Sequence, residues 1–123
     1  MTIEFEMTLE ELMNKIENGV KYFSRIDFGD GEIENTNFDN IIFDECIMSV
    51  KFIETTLRNS KFINSNIKTS IFYKSDLTNM IIEDCSVESV SFKDSILDGV
   101  IFNNNHAYAK TQNQNELYLF VNR

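Results

Sequence analysis

The chain has few reactive side chains, and their spacing does not fit a metal or nucleophile site. His106 is the only histidine, and Cys46 and Cys85 are the only cysteines. Zinc and iron sites use closely spaced groups of such residues, which this sequence lacks. It also lacks a Gly-rich phosphate loop and a nucleophile motif. We therefore predict no metal, no cofactor and no catalytic nucleophile.

Two pairs of adjacent carboxylates are the remaining candidates for acid–base chemistry. They are Asp44 with Glu45 and Glu83 with Asp84. A catalytic carboxyl group needs a pKa shifted by burial in a cleft. Both pairs are expected on a convex outer surface, so we predict that the protein is not an enzyme.

A five-residue repeat decides where these residues lie. From Ser60 to Ser75 a serine recurs every fifth residue, and an apolar residue follows each serine after two positions. A spacing of five drifts around a helix and alternates between the two faces of a strand, so neither element explains it. A chain that turns a corner every five residues does explain it, and four such segments close a coil of about twenty residues. The serines are then small inward residues and not nucleophiles.

The repeat extends over sixteen registers, and its middle positions are all apolar. They are Phe28, Ile33, Phe38, Phe43, Met48, Phe52, Leu57, Phe62, Ile67, Phe72, Leu77, Ile82, Val87, Phe92, Leu97 and Phe102. The interval from Met48 to Phe52 is one residue short, so an irregularity is expected near Val50. Cys46 and Cys85 fall at inward positions two coils apart, about 10 Å, which is too far for a disulfide.

The pattern of a small residue, Asp or Asn, and then Leu or Phe is clear in the blocks SDLTN (75–79), TNFDN (36–40) and KDSIL (93–97). It resembles the pentapeptide-repeat family over residues 26–104. The resemblance implies an all-β fold, a right-handed quadrilateral β-helix of about four coils. Two phenylalanine-rich columns are predicted. One contains Phe43, Phe62, Ile82 and Phe102, and the other contains Ile33, Phe52, Phe72 and Phe92.

The flanking segments are expected to cover the two ends of the β-helix, whose open edges would otherwise invite pairing. Residues 1–25 should form a strand and a short capping helix, because Thr8 and Glu11 have capping-box spacing and Gly19 is a helix stop. Residues 105–123 are apolar enough to cover the last coil or to pair with a second copy, and both remain open. In proteins that the chain resembles, the carboxy-terminal segment often makes the dimer contact.

Four outward isoleucines are expected beside the Phe43 column. This isoleucine wall consists of Ile42, Ile63, Ile81 and Ile101, and Lys61 interrupts it. The carboxylates beside it, the acidic rim, are Asp44, Glu45, Glu83 and Asp84. Isoleucine is costly to leave in water, so either the protein's own tail or helix or a partner should cover the wall. An apolar centre with a charged border is typical of a protein interface, and these eight residues are the candidate partner-binding site.

The charge balance indicates what kind of partner to expect. Twenty acidic residues against eleven basic ones give a net charge of −9, which disfavours direct binding to nucleic acid or anionic membranes and favours a basic protein surface. We predict a non-catalytic protein–protein interaction module, for example an immunity-type or inhibitory protein with a toxin-like partner. No apolar run reaches the length of a membrane span and no signal-peptide pattern is present, so a cytoplasmic location is expected.

The family resemblance implies a second hypothesis. Some acidic pentapeptide-repeat proteins mimic duplex DNA and bind DNA gyrase, which protects it from quinolones or gyrase poisons. The charge of the chain fits this hypothesis, whereas its short β-helix fits only if a homodimer doubles the length. A third possibility is a stable scaffold without a dedicated partner.

Overall fold

The structure, a computed structural model, describes residues 2–121, which form short strands and two helices. The strands are β1 (Phe5–Glu6), β2 (Tyr22–Ser24), β3 (Ile26–Glu34), β4 (Ile42–Asp44), β5 (Ile47–Ile53), β6 (Lys61–Ile63), β7 (Ile71–Tyr73), β8 (Ile81–Glu83), β9 (Ile101–Asn103), β10 (Asn105–Ala107) and β11 (Lys110–Gln112). The helices are α1 (Leu9–Glu17) and a 3₁₀ helix (Gln114–Phe120).

Strands β1 to β9 stack as parallel coils around a common axis, and β10 and β11 form an antiparallel pair. One sheet has the order β2-β4-β6-β8-β9, and another has the order β1-β3-β5-β7. Parallel bridges from Asn37 up to Ile96 join the coils on a further face. The predicted β-helix is confirmed, with about five coils instead of four. The additional length arises because β2 pairs below β4 and β10 continues the stack above Ser86.

Corner residues with left-handed backbone turn the chain from one face to the next. Asn40, Asn59 and Asn79 follow one another up a corner, with φ values of 63°, 60° and 62°. Asparagine tolerates this conformation better than most residues, and Gly99, with a φ of 71°, continues the same column. Each corner keeps its backbone bonded to the next coil, as where the Asn59 N–H donates to the Thr78 carbonyl at 2.9 Å.

The core follows the predicted columns. The rings of Phe43 and Phe62 stack with centroids 5.0 Å apart, and those of Phe52 and Phe72 stack at 4.9 Å. Across the axis, Phe62 meets Phe72 edge to face at 5.9 Å. Every predicted middle position is buried except Leu97, which is partly buried in the last coil. The phenylalanines are therefore core residues, as the period of five requires.

The buried serines bond one coil to the next. The Cys46 N–H donates to Ser65 Oγ at 3.0 Å, and the Ser65 hydroxyl donates to the Ile63 carbonyl at 2.8 Å. In the same way the Ile41 N–H donates to Ser60 Oγ at 3.3 Å. The hydroxyl satisfies a buried amide where the corner interrupts the backbone ladder. Where a serine occupies this position, it therefore adds a hydrogen bond between coils.

The short interval after Met48 removes a corner. Strand β5 runs without a left-handed residue through the place where a corner would stand. Its pairing with β3 slips by one residue, because Asp27 lies opposite Ile47 and Asp30 lies opposite Ser49. The irregularity predicted near Val50 is thus a continuous strand with a register shift.

Helix α1 packs at the amino-terminal end of the β-helix. It begins after Thr8, whose side chain accepts the Glu11 N–H at 3.1 Å, and it buries Leu12 in the core. The helix ends at Glu17, and Gly19 follows with a φ of 88°. This arrangement agrees with the helix predicted between Thr8 and Gly19.

Candidate protein-binding face

The isoleucine wall and the acidic rim lie on one face, the outer side of the sheet β2-β4-β6-β8-β9. One column of outward side chains contains, from bottom to top, Tyr22, Ile42, Lys61, Ile81 and Ile101. The next column contains Ser24, Asp44, Ile63, Glu83 and Asn103. Ile63 therefore lies between two rim carboxylates and not directly above Ile42. The corner beside this second column holds Glu45 and Asp84, so the structure brings all eight candidate residues together.

The isoleucine wall is accessible over its whole length, and Lys61 interrupts its first column between Ile42 and Ile81. Ile42, Ile63 and Ile81 are partly exposed, and Ile101 is 48% exposed. Tyr22, which is 54% exposed, extends the column below Ile42. Five strands at the usual spacing make a stripe about 19 Å long. Such a stripe is a stronger interface signal than scattered surface isoleucines would be.

Two rim carboxylates at the lower end of the face bond to neighbouring side chains. Glu45 forms an ion pair with Arg25 at 2.9 Å, and Arg25 also contacts Glu4 at 3.0 Å. The hydrogen bond to Glu4, followed in size by the one to Glu45, raises the pKa of the Arg25 guanidinium. The Tyr22 hydroxyl donates to Asp44 at 3.0 Å, and this bond raises the pKa of Tyr22. Both carboxylates are therefore held in place by side chains of the coil below.

The upper pair of rim carboxylates is less engaged. The Asn104 side chain donates to Asp84 at 2.6 Å. Glu83 makes no hydrogen bond or ion pair through its side chain within residues 2–121, and it is partly exposed. Glu83 is thus the rim carboxylate best placed to receive a basic group from outside.

The carboxy-terminal segment packs at the end of the β-helix. Gln114 accepts the Phe102 N–H at 2.8 Å, and Asn113 accepts the Asn104 N–H at 2.8 Å. Phe120 is buried against Phe102, with ring centroids 5.4 Å apart. These contacts are all with the last coil. The carboxy-terminal segment therefore does not cover Ile42, Ile63 and Ile81.

The cysteines are buried and unpaired. Cys46 and Cys85 are free thiols, in agreement with the prediction of no disulfide. Cys85 Sγ donates to the Phe62 carbonyl at 3.2 Å. Burial raises the pKa of Cys85 to about 12, and burial also raises the pKa of Cys46. Neither thiol has the thiolate character of a reactive cysteine.

The remaining polar features do not converge on a reactive centre. His106 is exposed on β10, and the described residues contain no group of three or more ligands that could hold a metal ion. A groove of about 620 Å³ lies beside α1, lined by Glu6, Glu11, Asp27 and Asp30 among others. A second groove of about 600 Å³ lies on the other side of the helix, between Met13 and Asn40. Neither groove includes a residue of the wall or the rim.

Two residues that adjoin the wall and the rim were not predicted from the sequence. Tyr22 extends the apolar column, and Arg25 fixes Glu45. The sequence feature that could have located both residues is Phe23. It lies five residues before Phe28 and so continues the repeat by one block. In the structure Phe23 stacks on Phe43 with ring centroids 5.6 Å apart.

No protein-family model and no curated protein matches the chain. The pentapeptide-repeat resemblance therefore stays a prediction. Within the described part of the chain, no helix has the length and apolar character needed to cross a bilayer.

Proposed function

We propose that the protein is a cytoplasmic, non-catalytic interaction module that binds a basic surface of another protein through the isoleucine wall and the acidic rim. A β-solenoid is compatible with such a role, since stacked coils present an extended surface. The supporting observation is the accessible column of isoleucines, interrupted by Lys61 and bordered on one side by Asp44 and Glu83. Covering this column removes isoleucine from water, at about 25 cal/mol per Å² of apolar area.

The charge of the chain supports a basic partner. A net charge of −9 attracts such a partner over long range, and the rim fixes its orientation at contact. The partner class we propose is one whose basic active surface is neutralised on binding, as an immunity-type or inhibitory protein would do. Toxin-like proteins that act on nucleic acid have such surfaces because they must attract phosphates.

The wall can be tested by substitution with a matched control. The Ile63→Lys and Ile81→Lys double variant places two charges in the wall. Ile71→Lys places one on β7, outside the wall sheet, at an outward position that is likewise partly exposed. Each protein is used to capture partners from its own cells, and thermal melts check the fold. We expect the wall variant to lose a basic partner that wild type and Ile71→Lys retain. Equal capture by all three folded proteins would contradict the proposal.

A second copy of the chain is the competing occupant of the wall. Sedimentation of the wild type over a range of concentrations separates the two cases. A monomer at tens of micromolar supports a different partner, whereas a dimer abolished by the double variant would assign the wall to self-association.

The alternative function is modulation of DNA gyrase by mimicry of duplex DNA. Its support is the net charge of −9 on a β-helix, together with the pentapeptide-repeat resemblance. Purified protein is added in micromolar excess to a gyrase supercoiling reaction, with and without a quinolone. A change in supercoiling or in drug sensitivity would favour this alternative, and no effect under either condition would remove it.

A further inference from the structure

The acidic rim borders only one side of the apolar column. Asp44 and Glu83 share a column two strands apart, which corresponds to about 9.6 Å. Glu45 and Asp84 occupy the corner beside them. The corner on the other side of the face is uncharged, as it is formed by Asn40, Asn59, Asn79 and Gly99. The face is therefore a stripe of Tyr22, Ile42, Ile81 and Ile101, interrupted at its centre by Lys61, with one acidic and one neutral border.

We infer that the occupant of the wall is a basic amphipathic α-helix of the partner protein, lying along the axis of the β-helix. Its apolar side covers the isoleucines, and two basic residues seven positions apart on one flank reach the two acidic pairs. This inference rests on the proposed function, because it specifies which structural element of the partner makes the contact.

The spacing of the acidic pairs favours a helix. Residues seven positions apart on an α-helix lie about 10.5 Å apart on the same face, close to the separation of Asp44 and Glu83. In an extended chain that separation corresponds to three residues, whose side chains point to opposite sides. Successive helical turns, about 5.4 Å apart, also match the steps between strands along the stripe. A helix of about thirteen residues spans the whole column.

The backbone of the face also favours a helix. A strand from a partner gains affinity by bonding to an open sheet edge. Strands β4, β6 and β8 are each paired on both sides, so the centre of the face offers side chains and no free backbone edge. A helix satisfies its own backbone and needs only the side-chain contacts that this face provides.

Synthetic peptides test the inference directly. The probe is a helical peptide of about fifteen residues with a leucine stripe and two arginines seven positions apart on one flank. The control peptide has the same composition with one arginine on each flank, so that in either direction only one arginine can reach the acidic border. We expect the probe to bind the full-length protein at least about tenfold more tightly than the control. Methyl signals of Ile42, Ile63 and Ile81 should shift, and those of Ile71 should not.

Charge removal on the protein provides the matched comparison. Glu83→Gln should weaken probe binding several-fold, while Glu34→Gln, on an exposed position of β3, should leave it unchanged. Equal affinity for the two peptides, shifts confined to other faces, or no probe binding at millimolar concentration would overturn the inference. If the peptides fail in this way, the proposed function is still supported when the Ile63→Lys and Ile81→Lys variant no longer captures the native partner. The two proposals thus fail separately.

Discussion

Replacing Ser65 with alanine should destabilise the β-helix by an amount set by one buried hydrogen-bonding group. Ser65 is 3% exposed, and its Oγ accepts the N–H of the fully buried Cys46. Its hydroxyl also donates to the Ile63 carbonyl. Alanine keeps the small volume but leaves the Cys46 amide without its acceptor. A buried donor left unsatisfied costs about 1–3 kcal/mol, so we expect a loss of about 2 kcal/mol in the free energy of unfolding.

The controls separate this bond from side-chain volume. Ser65→Thr keeps the hydroxyl, and the fully buried Thr55 fits at the corresponding position of another face. Ser86→Ala changes a partly exposed serine one coil above and should cost less than about 0.5 kcal/mol. We therefore expect stability to fall in the order wild type, Ser86→Ala, Ser65→Thr and Ser65→Ala.

Urea unfolding followed by circular dichroism measures these differences, provided that the slope of the transition stays constant. Hydrogen exchange at the Cys46 amide gives a local measurement, because that amide loses its acceptor in Ser65→Ala alone. If Ser65→Ala were as stable as Ser86→Ala and the Cys46 amide exchanged at the wild-type rate, the serine ladder would not support the corners.

Three further predictions concern acid stability, thiol reactivity and the packing of α1 against Gly31. Burial opposes ionisation of Asp39, but its bonds to Arg58, including one of 2.8 Å, outweigh burial and lower the pKa of Asp39. The ionised Asp39 therefore stabilises the fold at any pH above the ordinary pKa of Asp. This stabilisation is lost as the pH falls through the lowered pKa. Arg58→Ala should thus show a shallower loss of stability in urea titrations below about pH 4. Because burial raises the pKa of Cys85 to about 12, iodoacetamide should modify this thiol at pH 8 only after the protein unfolds. Above about pH 9 the thiol ionises in the unfolded chain but not in the folded one, so the free energy of unfolding should fall as the pH rises. This decrease should be smaller in Cys85→Ala. Gly31→Ala should lower the melting temperature more than Gly29→Ala. Gly31 has a φ of 143°, against 66° at Gly29, and its Cβ would lie 2.7 Å from Leu9 Cδ1 of α1, whereas Gly29 has nothing within 4 Å. Equal shifts in a thermal melt would contradict this expectation.

The core of the fold was predictable because a period of five constrains side-chain size directly. An apolar residue fills the centre of each segment, and the residue beside the corner is mostly small, with Ile26, Ile41 and Met80 as larger exceptions, so sixteen registers define the coil. The fifth coil was missed because Phe23 follows α1 directly and the block around it lacks the small-residue signature. The bonding of the serines was also beyond the sequence, since it depends on which backbone groups the corners leave unpaired.

The candidate site was predictable in composition but not in its electrostatics. The isoleucines and carboxylates were identified from their outward phase in the repeat. The partner of each carboxylate depends on the corner geometry, which places Arg25 against Glu45 although they are twenty residues apart. Glu83 differs because no ion pair or side-chain hydrogen bond holds it within residues 2–121, although Lys61 lies on the adjacent strand, and the register alone did not reveal this.

The one-residue deletion after Met48 determines the surface as much as the core. Ile42 lies opposite Lys61, nineteen residues on, whereas Lys61 lies opposite Ile81, twenty residues on. A constant interval of twenty would set Ile42 against the inward Phe62 and would turn every outward residue above it by one position. The chain avoids this because β5 absorbs the missing residue in a continuous strand with shifted pairing to β3. Core columns and the isoleucine wall therefore depend on the same correction, and a register error in one would scatter the other over different faces.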